Sequence, residues 1–175
     1  MRACPQPGRA ADVSVIWVQG KRWERLFMVH VVYCDDKEKV LEKILEGTKT
    51  MVVRGAAGRK IPHSRVFEGE TLFFMKKGTA MISAKATVES VQNLVSLSDD
   101  ETAAALEEPR LALSAKQKER WHKKCLCLVG FKDAVSIEPL AFDKQGNMDD
   151  WLMVGKIEDV LVGTSVPFSY ELSRF

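Results

Sequence analysis

Cysteine is scarce in this sequence, and that scarcity narrows the reading before any motif does. Only Cys4, Cys34, Cys125 and Cys127 occur in 175 residues, at spacings too uneven for a disulfide-stapled secreted scaffold, and no secretory signal accompanies them. They are expected to be reduced thiols. Paired C-x-x-C units are missing as well, so His122, Cys125 and Cys127, or His30, Cys34 and His63, do not have the spacing of a zinc site. No metal and no cofactor is expected. The longest apolar stretches, 13–18 and 26–32, fall short of the roughly 20 residues a membrane-spanning helix needs. The expectation is therefore a cytoplasmic protein with no membrane partner.

Charge of one sign is also lacking overall. A formal net charge of +2 cannot by itself mark a nucleic-acid binder, so any electrostatic argument must rest on where the charges lie. They are unevenly placed. Residues 49–77 hold seven basic side chains, Lys49, Arg54, Arg59, Lys60, Arg65, Lys76 and Lys77, against Glu68 and Glu70. Residues 99–108 hold five acidic side chains and no basic one. A local basic patch in a nearly neutral chain is the footprint of phosphate-backbone binding.

What is present in quantity is apolar residue, 46% of the chain, enough to bury a core. The first two dozen residues (1–24) read as a tail or extension with a possible short strand at 13–18, and residues 25–175 as one domain. Within it, residues 26–33 are rich in β-branched and aromatic types and read as a strand. Asp35 and Glu38 match a capping box, Val40, Leu41, Ile44 and Leu45 recur at helical spacing, and Gly47 can end the helix, which predicts a helix over 36–46. Strands are predicted over 50–54, 71–75 and 80–91, separated by a loop over 55–64 and turns at Gly69 and Gly78.

Two further capping boxes, opening at Ser98 and Ser114, predict helices on either side of Pro109, the second running to about Lys123. Strands then resume over 126–131, 134–137 and 151–154, with a turn at 145–147. Helices and strands are segregated rather than alternating. That order implies an α+β fold with a mostly antiparallel sheet.

The segment with most chemical content is Gly47-Thr48-Lys49-Thr50-Met51-Val52-Val53-Arg54, where a helix gives way to a strand. Alternation along the strand puts Thr50, Val52 and Arg54 on one face, and Met51 and Val53 on the other, where they can enter a barrel core. A compact ammonium and a planar fork of N–H donors converge there, a pairing suited to a phosphate or a base edge. Lys49 and Arg54 are expected to line a cleft between the first helix and the barrel. Trp121 is expected to pack its helix, and Phe73 and Phe74 to fill the core.

This segment resembles the G-x-K-x-x-x-x-R signature of ASCH domains, in the PUA-like superfamily. The order of elements resembles the family's too, from about residue 26 to residue 160. The chain is also similar to an archaeal PUA-like family of unknown function, in residues 49–54, 121–139 and 152–156. The resemblance implies a small, mostly antiparallel β-barrel with flanking helices. It also implies that RNA or a modified nucleotide is bound by a basic face that here comprises Lys49, Thr50, Arg54, Arg59, Lys60 and Arg65.

Some ASCH proteins are amidohydrolases on acylated nucleosides, with a Lys, a Thr three positions later and a distant Glu. Lys49 matches, but Val52 stands where that hydroxyl belongs, and a valine cannot attack a carbonyl. Glu89 and Glu101 are the available distant acids, and each has a plainer role, as a surface carboxylate and as a capping partner. No catalytic residue is assigned on this ground. The alternatives to RNA or nucleotide binding are a nucleoside-directed hydrolase using Lys49 and an adaptor whose basic patch meets an acidic protein.

Overall fold

The computed structural model describes residues 13–18, 21–145, 148 and 150–168, the side chains of 13–18 and 21–26 excepted. Its main body is a six-stranded sheet in the order β4-β7-β6-β5-β3-β8, comprising β3 (Val29–Cys34), β4 (Met51–Ala56), β5 (Thr71–Lys76), β6 (Met81–Leu94), β7 (Cys125–Ala141) and β8 (Trp151–Val154). The β3–β5 pair is parallel and the other pairs are antiparallel. Three helices flank the sheet: α1 (Val40–Glu46), α2 (Asp99–Leu106) and α3 (Ala115–Trp121). The fold is α+β. Because β4 and β8 are the two edges, the sheet curls into a half-barrel with a seam between them.

A separate hairpin precedes this body, β1 (Val13–Val18) paired antiparallel with β2 (Lys21–Leu26). Its second strand runs across the boundary expected at residue 24. The expected strand at 26–33 therefore divides, residue 26 belonging to β2 and β3 beginning at Val29. The turn expected at 145–147 lies partly outside the described residues.

Local chemistry explains where sequence patterns held and where they did not. Both predicted serine capping boxes form: Ser98 Oγ accepts from Glu101 N–H and Ser114 Oγ from Gln117 N–H, each with the reciprocal bond. The box expected at Asp35 does not form, and the helix begins at Val40 rather than 36. The Asp35 carboxylate instead accepts the N–H of Lys37 at 2.9 Å, an Asx turn that competes with helix, and Lys39 enters the left-handed region at φ 50°. Gly47 ends α1 at φ 81°, as its lack of a side chain permits.

The two strands expected at 126–131 and 134–137 are one. Thr87 pairs with Lys132 and Lys85 with Val135, so Asp133 and Ala134 together oppose Ala86. With Asp133 at φ 56°, this is a bulge that bends β7 without ending it.

The core has three parts. Val52, Val88, Cys127, Val129, Phe74, Phe131 and the α1 residues Val40, Leu41 and Ile44 fill the concave side of the half-barrel. Val31, Ile82, Leu152 and Phe142 form a second cluster. Met51 and Val53, expected inside the barrel, belong instead to the third cluster, against Leu106 and Leu111 beneath α2 and the 3-10 turn Pro109–Leu111. The alternation along β4 was right and its polarity was reversed. The face carrying Val52 and Arg54 is the interior one, because the outer face of β4 is itself covered by helix.

Candidate functional site

Placing Arg54 on the interior face changes what it can do. Its guanidinium stands at the seam. One terminal nitrogen donates to the Val53 carbonyl and the other to the Tyr33 carbonyl of β3, each at 2.9 Å. Its centre lies 5.6 Å from the ring centroid of Trp151 on β8 and 5.1 Å from that of Trp121 on α3. Arg54 thus joins β4 to β3, β8 and α3 across an opening that no backbone ladder closes. Two of its five N–H groups are committed to carbonyls, and the Nε group is buried with no protein partner.

Lys49 lies beside it. The left-handed Gly47 turns the chain so that Lys49 N–H bonds back to the Lys43 carbonyl, and the side chain enters the molecule, 3% exposed. Its ammonium donates to the Leu111 carbonyl. Among the described residues neither Lys49 nor Arg54 forms an ion pair with a carboxylate; their polar partners are carbonyl oxygens. Burial first, and then the Arg54 charge, press the Lys49 amine down to about 8. Burial lowers Arg54 from its usual value too. Cys34 and Cys127, close to the two cations, are pushed up to about 12 by burial and are inert thiols.

Two adjoining clefts open here, the first on both Lys49 and Arg54 and the second on Arg54. Lys49, Arg54, Val40, Gln117, Arg120 and Trp121 contribute to the first, so its walls are α1, α3 and the strand ends rather than α1 and the barrel alone. The second, of about 250 Å³, shares Arg54, Trp121 and Asp150 with the first and adds Lys60, Ile61, His63 and Trp151. At the rim, Arg120 lies 4.9 Å from the centroid of the Trp121 ring. It ion-pairs with Asp150 at 3.3 Å and Asp35 at 3.8 Å. These rim pairs are exposed and contribute little to stability.

Trp151 is held from behind. Its indole N–H donates to His30 Nδ1 at 3.0 Å, and His30 Nε2 lies 2.8 Å from a Glu70 carboxylate oxygen. An indole can only donate, so the imidazole proton is on Nε2 and is given to Glu70. Glu70 also accepts from the backbone N–H groups of Met28 and Phe67. Burial raises its pKa. The His30 contacts and the backbone bonds together outweigh that, so the carboxyl sits below its ordinary value. This buried chain, all of it at or below 3% exposure, fixes one aromatic wall.

Of the basic residues singled out in the sequence, the structure brings Lys49, Arg54, Lys60 and Lys77 to the clefts. Thr50 is half-buried and tied by its backbone to Arg110 and Phe131, Arg59 is exposed, and Arg65 is half-buried in the loop; none lines either cleft. Val52 packs in the interior core, and Glu101 serves its capping box. Trp121, Trp151, Arg120 and Asp150 were not foreseen as site residues. Trp121 had been assigned to helix packing, and only the neighbouring Arg120 hinted at an exposed, charged setting.

No family model and no curated protein matches the chain. Solved structures similar to it include an ASCH protein of Zymomonas mobilis and two single-substitution variants of that protein. One variant has a TM-score of 0.49 at 16% identity, covering 64% of this chain and 74% of that one. The other has 0.48 at 14%, covering 64% and 72%. The unsubstituted protein has 0.47 at 14%, covering 63% and 71%.

Proposed function

We propose that this domain binds RNA or a modified nucleotide, with a phosphate or another anionic group of the ligand held in the cleft of Lys49 and Arg54. The observation that carries this reading is a buried ammonium, Lys49, beside a half-buried guanidinium, Arg54, with no carboxylate ion-paired to either among the described residues. Desolvating two positive charges side by side is costly, and a fold keeps such a pair where a diffusible anion completes it. Lys49 has N–H groups to spare beyond the Leu111 bond, and Arg54 has three beyond its two carbonyls.

The surroundings favour a nucleotide over a bare anion. Trp121, half-buried, offers indole surface beside the cations, with the buried Trp151 backing the wall, and the larger cleft continues from them toward Lys60. A resident guanidinium already lies over both rings, so a cationic ligand is disfavoured there. The basic loop carrying Arg59, Lys60 and Arg65 extends the positive surface along which a longer RNA would run. The G-x-K-x-x-x-x-R resemblance points the same way.

The test is a titration of the protein with mixed cellular RNA at several salt concentrations, for the parent, Lys49→Gln and Arg54→Lys. Binding that falls with salt in the parent and drops at least tenfold in Lys49→Gln supports the reading. Equal binding by parent and Lys49→Gln, with the same salt slope, removes it.

A further inference from the structure

The loop between β4 and β5 carries a group of side chains that anion binding leaves unused. His63 is 4% exposed, while the next residue, Ser64, is exposed and held at φ 62°, a left-handed conformation uncommon for serine. Ser64 Oγ lies 2.8 Å from His63 Nδ1. The other ring nitrogen, Nε2, lies 3.2 Å from the Leu94 carbonyl oxygen. A carbonyl only accepts, so Nε2 carries the proton, and in the neutral ring Nδ1 is left as the acceptor for the serine hydroxyl. Nucleophile, base and orienting group stand in sequence.

A fourth group completes the arrangement. The Asn93 side-chain oxygen accepts the Ser64 backbone N–H at 2.8 Å, which fixes the orientation of the carboxamide. Its NH2 group carries two further donors, which among the described residues have no protein partner. Asn93 and Leu94 are the last residues of β6, the 14-residue strand in the middle of the sheet, so they are carried on a rigid element. His63 also lines the larger cleft beside Trp121 and Trp151.

We propose that Ser64, His63 and Asn93 form a second site, an acyl-transfer centre that hydrolyses carboxylic esters. Ser64 Oγ attacks the ester carbonyl carbon while its proton passes to His63 Nδ1, and the oxyanion is met by the Asn93 NH2 group. The bond to the alcohol oxygen then breaks as His63 returns the proton to that oxygen, leaving the acyl group on Ser64. Water attacks the acyl carbon and gives its proton to the same nitrogen; the acyl–Oγ bond then breaks as His63 passes that proton to Ser64 Oγ, and the carboxylic acid leaves with Ser64 and neutral His63 regenerated.

The orienting group sets the substrate class. Leu94 offers a neutral carbonyl, which stabilises an imidazolium less than a carboxylate does, so the centre suits esters, with their good leaving groups, and not amides. That the ester should be carried by a nucleotide or RNA, through the neighbouring basic loop, rests on the binding reading above; the centre itself does not.

The experiment uses the full chain with a fluorophosphonate probe and with p-nitrophenyl acetate. One equivalent of label on Ser64, found by peptide mass spectrometry, and aryl ester hydrolysis lowered at least tenfold in Ser64→Ala are expected. Asn93→Ala should slow labelling about a hundredfold, the effect of losing one oxyanion donor. Should His63→Gln fail to fold, Ser64→Ala decides alone, since its side chain is exposed and its melt is compared with the parent's. Label spread over several serines, or hydrolysis by Ser64→Ala equal to the parent's, overturns the proposal. Ser64→Ala should bind RNA as the parent does, so failure here leaves the binding reading to its own test.

Discussion

Raising the pH from 7 to 9 should release an anionic ligand from the Lys49 cleft, and the size of the effect follows from the burial of one amine. Free of ligand, Lys49 titrates at about 8 because burial and the Arg54 charge both disfavour its ammonium form. A bound phosphate supplies the missing counter-charge and raises that value, so the complex takes up a proton that the free protein has lost. Affinity then follows the protonated fraction of the free protein, about nine-tenths at pH 7, half at pH 8 and one-tenth at pH 9. The expected loss is about tenfold, or roughly 1.4 kcal/mol. The assay is fluorescence anisotropy at constant ionic strength with an RNA of adenosine and cytidine alone, whose bases do not ionise in this range. Lys49→Arg stays charged throughout and should give a flat profile. A flat profile for the parent, or the same decline in Lys49→Arg, would refute the reasoning.

Further outcomes follow from the same contacts. Because the folded value of Lys49 lies below its ordinary 10.5, the folded state is penalised below pH 8 and the penalty is relieved as pH rises from about 8 to 10.5. The difference in stability between Lys49→Gln and the parent should shrink over that window by up to about 3 kcal/mol, as followed by urea unfolding. Glu70→Gln weakens the bonds to His30 and to the Met28 and Phe67 amides and should destabilise by about 2 to 4 kcal/mol in the same assay. Since the folded Glu70 value is depressed below 4.5, the stability it contributes is present above that pH and lost as pH falls through the folded value; the acid limb of unfolding in Glu70→Gln should lack that component. Lys60→Ala or Arg59→Ala should weaken binding to many RNAs alike and lower the salt slope by about 0.7 for single strands if each touches one phosphate; an unchanged slope would place them outside the RNA path.

How much of this was legible in the sequence depended on which interactions were local. The Ser98 and Ser114 boxes depend on residues three apart, and both formed as their spacing required. Asp35 failed as a cap because its carboxylate had a second local choice, the Lys37 amide, which spacing cannot rank. Alternation along β4 paired Val52 with Arg54 correctly, yet could not say which face was interior. That was decided by Leu106 and Leu111, more than 50 residues away, covering Met51 and Val53.

The candidate site shows the same division. Lys49 and Arg54 were visible through their motif, whereas Trp121, Trp151, Arg120 and Asp150 arrive from distant segments and met only when the half-barrel curled. Thr50, Arg59 and Arg65 carry suitable chemistry but stand outside the clefts, because a run of basic residues fixes composition and not direction. The His30–Glu70 contact joins residues 40 apart in sequence, and neither residue type in isolation announced it.

The claim that Lys49 and Arg54 hold a nucleotide or RNA is tested most directly by what travels with the protein. The measurement is the recovery, at low salt, of nucleic acids and small molecules bound to the parent and to Lys49→Gln, identified by mass spectrometry and sequencing. The account predicts RNA or a nucleotide on the parent, lost from Lys49→Gln while that variant stays folded. Recovery of the same material in equal amount from both, or of no phosphate-bearing ligand from either, would contradict it.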